Sequence, residues 1–373
     1  MRKIIKIGLL VSGLPPTRIG GVEIATHYIA KSLSKKHLEV HVITRNIRIK
    51  VKGKPRSLKK IEIYKGYIIH RIPCSNFPIF RFITHVLFGL IALIKIKPDI
   101  IHSQQLTPNG FIAVLGGKIL KRKTVVCVHG SEIHDSSLLY LKTLGNFIIS
   151  QASIVLGVSK YITNRMKLIW PQKSTFILHN GIELQDYFRN LTPKSTIELI
   201  FIGRLIEIKR VSDAINAIAE LKDDFPNLRL TIVGSGPAEK SLKKISSNLS
   251  VKNFTRFIGE ISHKKVPKYL SKADIFIFTS PKEGFPTVLL EAMASGLPIL
   301  APKSTAIPEL VHNHVNGFLY SPGNNKELIE NLKILMKDNA LRKLMGENSQ
   351  KLAKIYSWKK IINQLIKFYF NFN

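Results

Sequence analysis

The sequence predicts an α/β chain of two Rossmann-like domains facing across a cleft. Three observations point there. Strand-like runs alternate with helix-like runs along the whole length, as in parallel sheets built from βαβ units. The strand runs are almost continuously apolar, which marks strands buried on both faces. At 373 residues the chain also exceeds one ordinary core, and the alternation restarts midway.

In the first half the strands are IIKIGLLVS, EVHVITRN, DIIHSQ, TVVCVH, ASIVLGVS and STFILHN, with amphipathic stretches at 22–36, 79–96, 108–121 and 138–151 between them. The second half repeats the pattern with IELIFIGR, LRLTIVGSG, FTRFIGE, ADIFIFTS and LPILAP. The polar segment DYFRNLTPKS, with Pro193, separates the halves and sets domains at 1–188 and 189–355. The remaining 356–373, with SWKKIINQLIKFYF, reads as an amphipathic helix packing back on the first domain.

Composition narrows the class. With 45% apolar and 22% charged residues the chain is globular. Its two cysteines, Cys74 and Cys127, exclude a disulfide framework and a Cys-based zinc site, and they fit a reducing, cytoplasmic setting. Cys127, inside TVVCVH, reads as a small core residue. MRKIIKIGLLVSG reads as a first buried strand and not a signal peptide, because Lys6 interrupts it and Pro15, Pro16, Gly20 and Gly21 follow. The longest apolar run, VLFGLIALI at 86–94, is too short to span a bilayer.

The net charge of +33 is uneven, with 30 Lys and Arg against 8 Asp and Glu in residues 1–190. Ten basic residues lie between Arg45 and Arg71, where Glu62 is the sole acid. A solvated Lys-rich surface explains part of this. The asymmetry further favours an anionic partner for the first half: a phospholipid surface, a lipid-phosphate acceptor or nucleic acid. No nucleic-acid module or stacking-aromatic pattern accompanies the charge, which disfavours nucleic acid.

In parallel sheets, ligands bind where strands end and helices begin. Four such junctions stand out, beginning with Gly20-Gly21-Val22-Glu23, where paired glycines let backbone N–H groups meet an anion at a helix start; a turn glycine pair is an equal reading. Gly203-Arg204-Leu205 with Lys209 offers two cations from one loop, as a diphosphate requires. VGSGP, Gly234 to Pro237, either lets a nucleotide lie close to the backbone through Gly234 and Gly236 or is a tight turn capped by Pro237. The fourth is SPKEGFPTVLLEAMASGLP: Glu283 in the loop, Gly284, Phe285 and Pro286 at the start of a helix over 285–295, Glu291 two turns in, and Gly296 as its C-cap. A carboxylate between Leu290 and Ala292 is costly to bury without a hydrogen-bond partner, and a sugar diol is such a partner; that apolar context disfavours two exposed helix-end acids. In the first half His129-Gly130 follows TVVCV, where a histidine can orient a hydroxyl or take its proton; His102, His134 and His179 show how many histidines the chain carries for structural use.

Taken in order, GGVE, PDIIHSQ, VHGSE, HNGIE, IGRL…K, VGSGP, ADIFIFTS, EGFPTVLLEAMASGLPIL and NGFLYSPG resemble glycosyltransferase family 4, of the GT-B fold, over essentially the whole length. The resemblance implies that Arg204 and Lys209, with backbone N–H groups near Gly20 and Gly21, bind the donor diphosphate. It implies that Glu283 holds donor-sugar hydroxyls beside Gly284, Phe285 and Pro286. Glu291 then takes the ribose, His129 lies beside the reacting sugar, and Asn180 lies near the domain junction. The family's mechanism retains anomeric configuration and needs no metal or other cofactor; no Asp-x-Asp pair is present. Pro286 stands where many members have glycine, and Val22-Glu23 follows the first glycine pair. The leading expectation is hexose transfer from a UDP- or GDP-sugar to a lipid-linked or cell-surface glycan, by a cytoplasmic protein peripheral at the inner face of the membrane. Phe77 to Leu93 would touch the bilayer as an amphipathic helix, against the alternative of a core helix. A small soluble, phosphorylated acceptor, a basic nucleic-acid-binding protein and a silent sugar-nucleotide binder are the competing readings.

Overall fold

The computed structural model describes residues 4–15, 20–46, 49–51, 54–56, 58–75, 77–134, 138–188 and 195–371. The chain divides into two compact units, 1–180 with 358–373, and 181–357. The division falls at Asn180–Gly181, ahead of the boundary read at 188. Ile182 pairs with Ser357 in a parallel bridge and its N–H donates to Tyr356 O at 2.8 Å, which ties the segment after Asn180 to the second unit. Residues 189–194 lie outside the described residues.

The first unit is built on one eight-stranded sheet. Its order is Thr175–Ile177, Ile154–Gly157, Lys123–Val128, Ile100–Ser103, Lys6–Leu10, Glu39–Arg45, Tyr67–Ile72 and Ile61–Tyr64. Neighbours pair in parallel except the last two, which form an antiparallel edge. Ile7 lies opposite Val40 on one side and Ile100 on the other, so the first strand is where the strand order reverses. The two strands within 61–72 were not anticipated. Their charged and histidine residues mask the apolar alternation, yet Tyr67, Ile69 and Ile72 are buried. Of the basic run, Arg48 and Lys52 lie outside the described residues.

The helix Pro78–Ile96 answers both readings made of its sequence. Leu93 is buried against Leu10, Ile43, Ile101 and Ile112, while Phe80, Ile83 and Leu87 remain 60%, 55% and 52% exposed. The chain returns to this unit for its last helix, Trp358–Phe370. Trp358 stacks on Tyr28 with ring centroids 5.6 Å apart, Phe368 packs on Phe176, and Gln364 Nε2 donates to Ile177 O at 2.9 Å. The helix therefore braces both the Gly21–Ser34 helix and the edge strand Thr175–Ile177.

The second unit has a six-stranded, wholly parallel sheet in the order Thr255–Gly259, Leu228–Val233, Ile197–Ile202, Ile275–Ile277, Ile299–Pro302 and Gly317–Tyr320. Leu199, Phe201, Leu230 and Ile232 form a core with Ile215, Ile218 and Leu332 of the covering helices. Here the order reverses at Ile197–Ile202, so the loops after that strand and after Ile275–Ile277 open side by side.

Trp358 is buried, and its removal leaves a cavity against the Gly21–Ser34 helix. Trp358→Ala is expected to destabilise the first unit by about 3–5 kcal/mol, read as a lowered urea midpoint of its unfolding transition.

Candidate functional site

In the second unit the reversal point gathers the residues singled out in sequence. The strand Ile197–Ile202 runs into the Gly203–Arg210 loop, and Ile275–Ile277 into the loop holding Glu283. Lys209 Nζ and Glu283 Oε1 meet in a half-buried ion pair across these two loops. Thr279 Oγ1 donates to Lys209 O at 2.6 Å, and Glu283 N–H donates to Thr305 Oγ1 at 3.2 Å, so both partners are fixed through their backbones. Arg210 at φ +49° and Thr305 at φ +48° flank the pair in left-handed conformations that cost non-glycine residues energy. Arg210 is held there by its Nε bond to Asp213 Oδ2 at 2.7 Å. Arg204, the second cation, is exposed.

The helix after Glu283 spans Thr287–Ala294, two residues shorter at its start than the expected 285–295. Pro286 at ψ 107° is extended, so helical geometry begins only after it. Gly284 and Phe285 thus belong to the loop, and the Phe285 ring is buried against Tyr356. Glu291 lies little more than one turn into the helix, not two. Gly296, at φ +71°, ends the element in the left-handed region that glycine permits. Glu291 is buried, and its Oε1 lies 2.7 Å from His263 Nε2. Burial pulls the His263 imidazole down, but the hydrogen bond and charge of Glu291, with Asp186 behind it, leave it above its ordinary value. Sequence reasoning missed His263, although it follows the Thr255–Gly259 strand and so met the rule used elsewhere. Two buried hydroxyls flanking these loops, Ser280 Oγ and Ser304 Oγ, have no hydrogen-bond partner among the described residues.

The glycines of VGSGP have a backbone reason. A Cβ on Gly234 would sit 1.9 Å from Gly203 O, and one on Gly236 2.2 Å from Leu205 O. Leu205 N–H donates to Ser235 O at 2.9 Å, so the 234–236 loop lies flat on the 203–205 loop and supports the cation-bearing segment.

In the first unit Gly20 caps the Gly21–Ser34 helix without any side-chain hydrogen bond. The buried Glu23 carboxylate already lies beside it, since a Cβ on Gly20 would stand 2.6 Å from Glu23 Oε2. A carboxylate in that first turn complements the helix dipole and opposes a second anion. At the neighbouring strand ends a polar network converges. Ser12 N–H donates to Gln105 Oε1 at 2.9 Å, Asn109 Nδ2 donates to Ser12 Oγ at 3.0 Å, and Asn109 Oδ1 faces His85 Nε2 at 2.9 Å. His129 follows the strand Lys123–Val128, and its N–H donates to Glu132 Oε2 at 3.2 Å; Leu106 N–H donates to Glu132 Oε1. Burial lifts the Glu132 carboxyl to about 7 against the backbone N–H groups that favour its charge. Burial likewise lowers His129 to about 4, which leaves the ring neutral at physiological pH. Glu132, Gln105, Asn109 and His85 escaped sequence reasoning, though Glu132 lies in the quoted VHGSE. His179 is structural, with Nδ1 2.9 Å from Val158 O, and Cys127 is buried as read. Asn180 is buried at the end of the first segment of this unit. Among the described residues no three His, Cys, Asp or Glu side chains cluster as a metal site, and no helix is long and apolar enough to cross a membrane.

Two family models account for most of the chain. Residues 19–186 match Glycosyltransferase Family 4 and residues 185–352 match Glycosyl transferases group 1. Among curated relatives, the N-acetyl-alpha-D-glucosaminyl L-malate synthase of Bacillus anthracis is 26% identical over 374 residues, covering 95% of this chain and 94% of that one. Among solved structures, a sucrose-phosphate synthase from Thermosynechococcus elongatus superposes with a TM-score of 0.83 at 18% identity, covering 98% of each chain. Anabaena HepE in complex with UDP-glucose superposes at 0.81 and 20% identity, covering 98% of this chain and 99% of that one. These likenesses show the two-domain GT-B fold.

The lowered histidines give the first unit an acid-sensitive core. His70, His85 and His129 are each held near about 4 and His102 near about 3, all by burial first. The unfolded chain therefore takes up protons below about 6.5 that the folded chain refuses, and stability falls as pH drops from there towards 4. Glu132, raised to about 7, acts in the opposite sense between 4.5 and 7, but it is one group against four. Melting temperatures of the first unit's transition, taken between pH 6.5 and pH 4.5, are expected to decline.

Proposed function

The chain belongs to glycosyltransferase family 4, and from that premise we propose that it moves a hexose from a UDP- or GDP-linked sugar to a hydroxyl of a lipid-linked or cell-surface glycan. The transfer retains the anomeric configuration and calls on no metal ion. The observation that carries the reading is the Lys209–Glu283 pair at the reversal point of the second sheet, with Glu291 beyond it on the following helix.

An ion pair of this kind is a site waiting for a ligand with both chemistries. A diphosphate offers Lys209 and Arg204 a stronger partner than one carboxylate, and the released Glu283 accepts from sugar hydroxyls. The arrangement thus makes one event of binding the two ends of the donor. Glu291 keeps one oxygen on His263 and turns the other to the ribose diol. Charge developing on the leaving diphosphate is then met by cations already in place, which lowers the barrier without reorganisation at the moment of reaction. Neutral His129 serves the reacting sugar as a hydrogen-bonding group. The UDP-glucose complex of the Anabaena protein supports a uridine donor.

The acceptor side rests on the helix Pro78–Ile96. Its exposed Phe80, Ile83 and Leu87 lie on one face, Arg81 and Lys95 belong to the same helix, and the unit carries most of the excess positive charge. An apolar stripe with basic flanks suits an anionic bilayer surface, and so a lipid-linked acceptor and a peripheral position on the inner, cytoplasmic leaflet. A small soluble anionic acceptor is the second reading, favoured by the name of the Bacillus anthracis relative.

UDP- or GDP-sugars are expected to raise the melting temperature of the whole protein by mass action. Lys209→Ala and Arg204→Ala should each lower kcat/KM by on the order of 10²–10³. Transfer should persist in EDTA and give a product of unchanged anomeric configuration by NMR. A full screen without any thermal shift would count decisively against the donor site. For the membrane, co-sedimentation with phosphatidylglycerol vesicles should weaken with salt and with Leu87→Glu; binding indifferent to both would refute the lipid surface.

A further inference from the structure

His129 is the last member of a hydrogen-bonded chain that begins on the C-terminal helix. Tyr369 Oη lies 2.6 Å from His102 Nδ1, Gln104 Nε2 lies 3.0 Å from His102 Nε2, and Gln104 Oε1 lies 3.2 Å from His129 Nε2. Tyr369, His102 and Gln104 are all essentially without solvent contact. His102 and His129 are both uncharged at neutral pH because of burial, so each ring carries one N–H and one lone pair.

A carboxamide between two neutral imidazoles has one donor end and one acceptor end. Its NH₂ group donates to His102 Nε2, which puts the His102 proton on Nδ1 and directs it to the Tyr369 oxygen. Its carbonyl accepts from His129 Nε2, so the His129 proton sits there and the lone pair is left on Nδ1. The two histidines are thereby held in opposite tautomers, and reversing the amide would exchange both at once. Nothing in the sequence motif requires a glutamine here for packing alone; a methionine of the same length would fill the space and dictate no tautomer.

We propose that Gln104 is a positioning residue which fixes His129 as its Nε2–H tautomer, so that Nδ1 is the atom His129 offers to a substrate hydroxyl. His102 anchors Gln104 and is itself hydrogen-bonded to Tyr369, which ties the last described helix to this network. The inference rests on the reading of His129 as the residue beside the donor sugar.

The test is two-bond ¹H–¹⁵N correlation of the histidine rings in the full-length protein at neutral pH, with steady-state kinetics beside it. Wild type should show His129 protonated on Nε2 and His102 on Nδ1. In Gln104→Met the His129 pattern should become a tautomer average, with kcat down on the order of 10–100-fold and donor KM little changed, as for other outer partners of a working histidine. In Gln104→Glu, which accepts from both rings, His102 should move to Nε2–H while His129 keeps its tautomer, and kcat should exceed that of Gln104→Met. An Nδ1–H His129 in active wild type, or a Gln104→Met spectrum like wild type, would overturn the positioning claim. Unimpaired transfer by His129→Ala would overturn the catalytic reading instead. If either Gln104 variant fails to fold, the wild-type spectrum alone still decides the tautomer.

Discussion

A parallel strand can be joined to its neighbour only by a crossover that returns to the same end of the sheet. Both units obey that constraint, and every group assigned to chemistry sits where it sends the chain. Around Ile197–Ile202 the crossovers diverge, leaving two loops side by side. Lys209 comes from one and Glu283 from the other, 74 residues apart in sequence. The supporting loop at 234–236 lies so close on the backbone of 203–205 that only glycine fits at its contact points. Around Lys6–Leu10 the same divergence lets Ser12 from one segment, Gln105 and Asn109 from a second and His85 from a third close a polar network.

The two edges use their polar groups differently. In the second unit the groups are charged and paired through side chains that a ligand can rearrange, flanked by backbone conformations held against their preference. In the first unit the histidines are neutral and locked, their protonation suppressed by burial and their hydrogen bonds running from His102 through Gln104 to His129. One arrangement suits seizing a highly charged donor. The other suits presenting a defined lone pair without itself taking up charge.

Sequence reading reached the architecture because buried parallel strands are written as nearly continuous apolar runs, as in IELIFI and TVVCV. It singled out Arg204, Lys209, Glu283 and Glu291 because they lie in the segments that lead out of such runs, and the fold brings Lys209 onto Glu283. It overlooked the 61–72 strands, where Glu62, His70 and Arg71 interrupt the apolar pattern although the backbone pairing is regular. It set Glu291 a turn too deep, since a proline at a helix entrance does not say whether it lies before or within the first turn. His263 and Gln104 follow strands too, and were passed over for another reason. Their significance lies in a partner brought near by folding, Glu291 in one case and two histidines in the other, and no local spacing encodes that.

The last helix has a consequence for how the protein is made. Unit 1 takes its first segment from residues up to Asn180 and its final brace from Trp358–Phe370, with the whole second unit inserted between. On the ribosome, therefore, the half synthesised first is the half completed last. Its sheet emerges early but must wait, with the faces that meet Trp358 and Phe368 uncovered, until the segment Trp358–Phe370 clears the exit tunnel. The second unit, continuous in sequence, carries no such debt, and a nascent chain of this protein will hold a finished C-terminal domain before it holds a finished N-terminal one.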